Sequence, residues 1–145
     1  MTDKKKEWFS EWFDSPYYHK LYKNRDDAEA QAFIKRLLDY LEPGYFSKVL
    51  DLACGRGRHS IFLHKNNLNV LGLDISPQSI SHASQFETSG LRFDIHDMRN
   101  ELPEAAFKFI FSFFTSFGYF EKDYEHQSAI NHIANSLDTG GKFVI

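Results

Sequence analysis

A single cysteine, Cys54, stands among the 145 residues, which excludes an internal disulfide framework and any zinc site built from several thiolates. The four prolines and eight glycines are scattered. No Pro-, Gly- or Ser-rich linker divides the chain, so one domain is expected over residues 1–145. No uninterrupted apolar stretch is long enough to span a bilayer. The start, MTDKKKEWF, lacks the apolar segment and cleavage site of a secretion signal. Together these absences lead to the expectation of a soluble, cytoplasmic protein with no membrane partner. There is no excess of positive charge either. The formal net charge of -3 gives no general attraction to phosphate backbones, so no nucleic-acid partner is expected. The histidines show no metal-ligand spacing, although His126 and His132 share one predicted helix, and no metal is expected.

What is present is an ordinary apolar fraction of 42% with a high aromatic fraction of 17%, including 15 phenylalanines. Aromatics fill cores and can also line pockets. In EWFSEWF, Trp8 pairs with Trp12 and Phe9 with Phe13 on one helical face. This reads first as a helix docked on its own domain, with a lid or an oligomer contact as alternatives. Pro16 interrupts it, and Tyr17, Tyr18 and Tyr22 follow on a short turn or helix. Helical spacing from Asp26 to Leu41 ends at Pro43-Gly44. Residues 1–46 are thus expected to form an aromatic helical arm, and residues 47–145 an α/β core.

The core is expected to alternate. Strands are predicted at Lys48–Ala53, Asn69–Ile75, Leu91–Ile95 and Phe107–Phe114, the last central and covered on both faces. Helices are predicted at Arg58–Lys65, Pro77–Phe86 and Asp123–Leu137, with Ser76 as cap and Pro77 at the first helical position. Thr139-Gly140-Gly141 turns the chain into a fifth strand from Lys142. This order means a doubly wound, mostly parallel sheet.

Ligands of such sheets sit beyond the carboxyl ends of the strands. The first strand runs into VLDLACGRGRHS, where Gly55 and Gly57 let the backbone turn and approach a ligand, and the following helix aims its unpaired N–H groups at it. The second strand ends in Asp74, the third in Asp97 and the fourth in TSFGYF. A dinucleotide fingerprint would need a third glycine where Ser60 stands. A pyrophosphate would be repelled by Asp51 and Asp97, whereas a ligand bearing ammonium and sulfonium groups would accept them. Cys54 in the loop reads as a small packing residue rather than a nucleophile. His59 could be proposed as a general base, but a histidine at a helix start is more often solvated or packed.

Taken together, VLDLACGRG, LGLDIS, DIHDMR, FSFFTSFGYF and SLDTGGKFVI resemble, in order and spacing, the motifs of class I S-adenosylmethionine-dependent methyltransferases. The branch that acts on small molecules is the most similar. The resemblance implies a Rossmann-like fold and S-adenosylmethionine as cofactor. It implies that Gly55 and Gly57 approach the methionine part and that Asp51 orients its amino group. Asp74 would accept from both ribose hydroxyls and Ile75 would pack on adenine. Asp97 would accept from the adenine amino group, with the Met98 backbone at the ring edge. Ala53 and Phe114 complete the cofactor-binding set.

Methyl transfer from a sulfonium needs mainly alignment and exclusion of water. No acid–base pair stands out. Tyr18, Tyr22 and Tyr119 are the catalytic candidates, shaping the acceptor mouth together with Tyr17 and Phe117. The expected partner is a small-molecule methyl acceptor. A non-catalytic binding module on the same fold and, less favoured, an NAD-dependent oxidoreductase are the alternative functions. The resembled family continues past a fifth strand, so a truncated sheet is expected, with self-association possible through its unfinished edge.

Overall fold

The computed structural model describes residues 7–21, 26–114 and 116–145. Two short helices, α1 (Trp8–Asp14) and α2 (Pro16–Leu21), precede the amphipathic α3 (Asp27–Leu41). Asp26 caps α3 by accepting the Glu29 N–H at 2.7 Å, and the left-handed Glu42 ends it. The core then alternates through β1 (Lys48–Leu52), α4 (Arg58–Lys65), β2 (Asn69–Asp74), α5 (Pro77–Ala83), β3 (Leu91–Ile95), β4 (Phe107–Phe111), α6 (Asp123–Ser136) and β5 (Leu137–Val144).

The strands form one five-stranded sheet in the order β3-β2-β1-β4-β5, and each neighbouring pair is parallel. From β1 the chain steps outward through β2 and β3, then returns to lie on the other side of β1. The order therefore reverses between β1 and β4, and a crevice opens beyond their carboxyl ends. Both faces are covered. Val49, Val70 and Phe111 pack with Ile34 of α3 and Leu63 of α4, while Leu50, Leu73 and Ile110 pack with Ile133 of α6. Strand side chains alternate between faces, so near-continuous apolar runs are what a doubly covered sheet requires.

At the opposite end of the strands, Glu104 accepts from Arg92 at 2.6 Å and faces Lys48 at 2.9 Å. The Arg92 hydrogen bond comes first among the causes that pull its carboxyl down to about 2. This ties the chain entering β4 to β1 and β3, away from the crevice.

The structure moves several predicted boundaries. β4 stops at Phe111; Phe113 still stacks on Phe111 at 5.1 Å, and the chain turns at Phe114, which takes a left-handed φ of 58°. It is an interior strand, but the sheet centre belongs to β1. The predicted helix to Phe86 divides into α5 and a tighter 3-10 turn, Ser84–Phe86. The Thr139-Gly140-Gly141 segment is not a turn before β5 but a bulge within it. Phe107 pairs with Leu137 and Phe109 with Lys142, so the residues between loop out.

Candidate functional site

The loop after β1 is pinned to β2 by the Cys54 N–H, which donates to the Leu73 carbonyl at 2.9 Å. Its glycines do different work. At Gly55, φ is +57° and no atom lies within 4 Å of where a Cβ would stand, so the backbone faces open space. At Gly57, a Cβ would meet the Phe93 ring at 2.7 Å. The second glycine is thus required by packing between loop and β3, and it does not line the crevice. Cys54 is half-buried, its sulfur against Gly72 of β2. Burial, then the charges of Asp51 and Asp74, push its thiol well above its ordinary value, which keeps it protonated.

Asp51 lies on β1 at 2% exposure. Ser60, on the first turn of α4, donates its Oγ to Asp51 Oδ2 at 2.6 Å. Burial pushes Asp51 up to about 7, and Asp74 adds to the rise, while the Ser60 hydrogen bond opposes it. Asp74, at the end of β2, receives the Gly55 N–H on Oδ2 at 2.8 Å and the Ser76 N–H on Oδ1 at 2.9 Å. A carboxylate has about four acceptor positions, so both oxygens are oriented by backbone and retain capacity for a ligand. Burial raises its pKa despite these bonds.

Both carboxylates line a cavity of about 920 Å³, together with Ala53, Gly55, Ile75, Met98 and Phe114. Asp97 also lines it, but its oxygens are largely engaged. Oδ1 accepts from the Arg99 N–H and Nε, each at 3.0 Å, and Oδ2 from Nη2 at 2.6 Å. Burial would raise Asp97, yet these bonds and the Arg99 charge hold it below the usual carboxylate range.

The aromatic arm closes one side. Phe13 meets Tyr18 at 5.1 Å and Tyr119 at 5.4 Å between ring centroids, and Phe9 meets Phe120 at 5.9 Å. α1 therefore docks on its own domain and walls the cavity at the same time. Tyr18 and Tyr119 line the cavity, as do Trp12 and Phe13. Tyr17 does not: it precedes Tyr18 on α2, points elsewhere and is 76% exposed. Phe117 sits against His126 instead, at 5.7 Å. Tyr22 lies outside the described residues. His59 packs among Phe33, Phe113 and Phe114, with ring centroids 6.0, 5.2 and 5.3 Å away.

Three site features escaped the sequence reading. Ser60 looked only like a missing glycine. Arg99 shows only its neighbour Asp97 as a partner in the sequence, because Glu7 and Glu125 lie 92 and 26 residues away. His19 on α2 lines the cavity, and burial, followed by the charge of Arg56, lowers its pKa and favours the neutral ring. The adjacent tyrosines were the only signal near it.

A parallel sheet of this order, carrying a glycine loop and paired acids at the ends of β1 and β2, defines a class I S-adenosylmethionine-dependent methyltransferase. The residues fit that cofactor: Asp74 has free acceptor capacity, Gly55 leaves room for close approach, and the cavity is of ligand size. The chain belongs to the methyltransferase domain family, whose model matches residues 49–141. It is 30% identical over 99 residues to the dTDP-3-amino-3,4,6-trideoxy-alpha-D-glucopyranose N,N-dimethyltransferase of Streptomyces venezuelae, a match covering 68% of this chain and 41% of that enzyme. Among solved structures, a TehB-like methyltransferase from Corynebacterium glutamicum superposes with a TM-score of 0.71 at 26% identity, over 90% of this chain and 73% of that one. The sugar N-methyltransferase KedS8 from Streptoalloteichus gives 0.72 at 25%, over 88% and 52%. The chain thus spans less than half the length of the curated relative it matches. Among the described residues, no helix is long and apolar enough to cross a membrane.

Proposed function

We propose that this chain forms the cofactor-binding part of an enzyme that methylates a small-molecule amine, an amino sugar being the favoured acceptor class. The observation that carries the cofactor assignment is the convergence of Asp51 and Asp74 on one cavity, each carboxylate already oriented by a hydrogen bond from the chain itself. The acceptor class is supported by the two sugar N-methyltransferases among the relatives. It is supported also by the aromatic wall of Trp12, Phe13, Tyr18 and Tyr119, since ring faces attract an ammonium group.

When bound, the cofactor supplies an electrophilic methyl group on a sulfonium. In this reading Asp51 pairs with its amino group, Asp74 with the ribose hydroxyls, and Ile75 and Met98 flank the base. The carboxylate of Asp97, held by Arg99, presents what acceptor capacity remains to the adenine edge. Tyr18 and Tyr119 shape the acceptor mouth and exclude water. An amine must be unprotonated to react, and in this reading the His19 imidazole on the cavity wall takes its proton.

Calorimetric titration with S-adenosylhomocysteine and with NAD tests the cofactor assignment. Binding of the first and not the second is expected; the reverse result would overturn the reading. Ser60 already weighs against NAD, because the position where a dinucleotide fold needs glycine carries a side chain bonded to Asp51.

A further inference from the structure

Arg99 holds three separate parts of the molecule on one guanidinium. Nη1 and Nη2 form a two-pronged contact with Glu7, both bonds at 2.7 Å. Nη1 also donates to Glu125 of α6 at 2.8 Å, and Nη2 to Asp97 at 2.6 Å. The guanidinium lies 4.7 Å from the centroid of the Phe120 ring, and the Arg99 side chain is only 19% exposed. Glu7 immediately precedes α1, and α1 is the cavity's aromatic wall. Asp97 lines the same cavity from the loop after β3.

The fork to Glu7 and the bonds to Asp97 use the same planar group, so neither partner can shift without disturbing the other. An arginine suits this because its donors are rigidly arranged, whereas a lysine could satisfy only one partner with directional certainty. We propose that Arg99 is a positioning residue that couples docking of α1 over the cavity to the orientation of Asp97, so that the closed arm retains the cofactor. The proposal rests on the S-adenosylmethionine reading above. Glu7 and Arg99 act as one unit, and loss of either releases the arm. Glu125 braces the guanidinium from α6 through Nη1, and a glutamine there keeps an acceptor oxygen for that bond.

The sequence provides a built-in reporter, since its two tryptophans are Trp8 and Trp12, both on α1. Acrylamide quenching of tryptophan fluorescence is measured with and without S-adenosylhomocysteine, alongside calorimetric affinity. In the wild-type chain the ligand should reduce quenching. Glu7→Gln should weaken affinity by about fivefold and abolish that protection with little change in Tm. Arg99→Lys should behave like Glu7→Gln, because charge without the fork does not restore the coupling. Combining Glu7→Gln with Arg99→Lys should cost no more affinity than the worse single change. Glu125→Gln should retain the protection.

Wild-type affinity and protection in Glu7→Gln would overturn the coupling, and so would losses that multiply in the double variant. A wild-type chain that binds no S-adenosylhomocysteine would instead overturn the cofactor reading, and this proposal with it.

Discussion

Ser60 Oγ donates a 2.6 Å hydrogen bond to Asp51 Oδ2, joining the first turn of α4 to the middle of the sheet. Both residues are buried, so the bond stabilises the ionised carboxylate in a place where water cannot. With Asp51 near 7 even so, a cationic ligand group should bind best once that carboxylate has lost its proton. Affinity for S-adenosylhomocysteine is expected to rise as pH increases through about 7, with proton release on binding below it. Ser60→Ala should move this inflection upward and weaken binding at neutral pH by about tenfold, the scale of a lost bond to a charged group. Calorimetry in buffers of different ionisation enthalpy checks both; a pH-independent affinity would remove Asp51 from the ammonium site.

Asp74→Ala should reduce affinity for the same ligand by a few kcal/mol at most, on the order of a lost pair of charge-assisted hydrogen bonds. The change also strips the Gly55 and Ser76 N–H groups of their acceptor, so part of the loss would come from a loosened loop. Asp74→Asn removes the charge but keeps an acceptor for only one of the two N–H groups, so its loss should lie between wild type and Asp74→Ala. Unchanged affinity in both variants would exclude Asp74 from the site.

The two loop glycines should fail in different ways. Gly57→Ala forces a methyl group against the Phe93 ring at 2.7 Å and keeps a left-handed φ, which should destabilise the fold by about 2–4 kcal/mol. Gly55→Ala meets no neighbour and carries only the left-handed cost of about 1–2 kcal/mol, but its methyl group enters the space proposed for the cofactor. Thermal melting should therefore single out Gly57→Ala, and the affinity loss relative to stability should be greater for Gly55→Ala. Equal ratios for the two would contradict the division of roles.

That division shows what a sequence can and cannot carry. The strand ends were legible because acids close successive strands together at Asp74 and Asp97, whereas a lone Asp there is usually a cap or turn residue. The alternation of elements was legible for the same reason that the core forms: each apolar period matches the face it buries. Sequence alone makes Gly57 a ligand contact, because the ring that requires it, Phe93, arrives from β3, farther along the chain. Arg99 was opaque because its partners Glu7 and Glu125 lie 92 and 26 residues away, and no local pattern encodes such a meeting. In β5 the paired glycines suggest a turn from the sequence alone, although the same residues serve a bulge once β4 supplies the partner register.

The same titrations act on the fold with opposite signs. Asp51 has a folded pKa raised from 3.8 to about 7, so the folded chain holds a proton that the unfolded chain has lost, and its contribution to stability declines as pH rises between those values. Glu104 is depressed from 4.5 to about 2, so its contribution is present above 4.5 and is lost as pH falls toward 2. At 27% side-chain exposure, solvent screening keeps the latter small. Asp51→Asn removes the first titration alone. Across about pH 4 to 7 the melting temperature of the ligand-free wild type should therefore fall relative to that of Asp51→Asn. S-adenosylhomocysteine should shrink this relative decline, because the ligand's ammonium group favours the ionised carboxylate that burial opposes. Parallel melting curves for the two proteins over that range would show that Asp51 does not titrate where its surroundings place it.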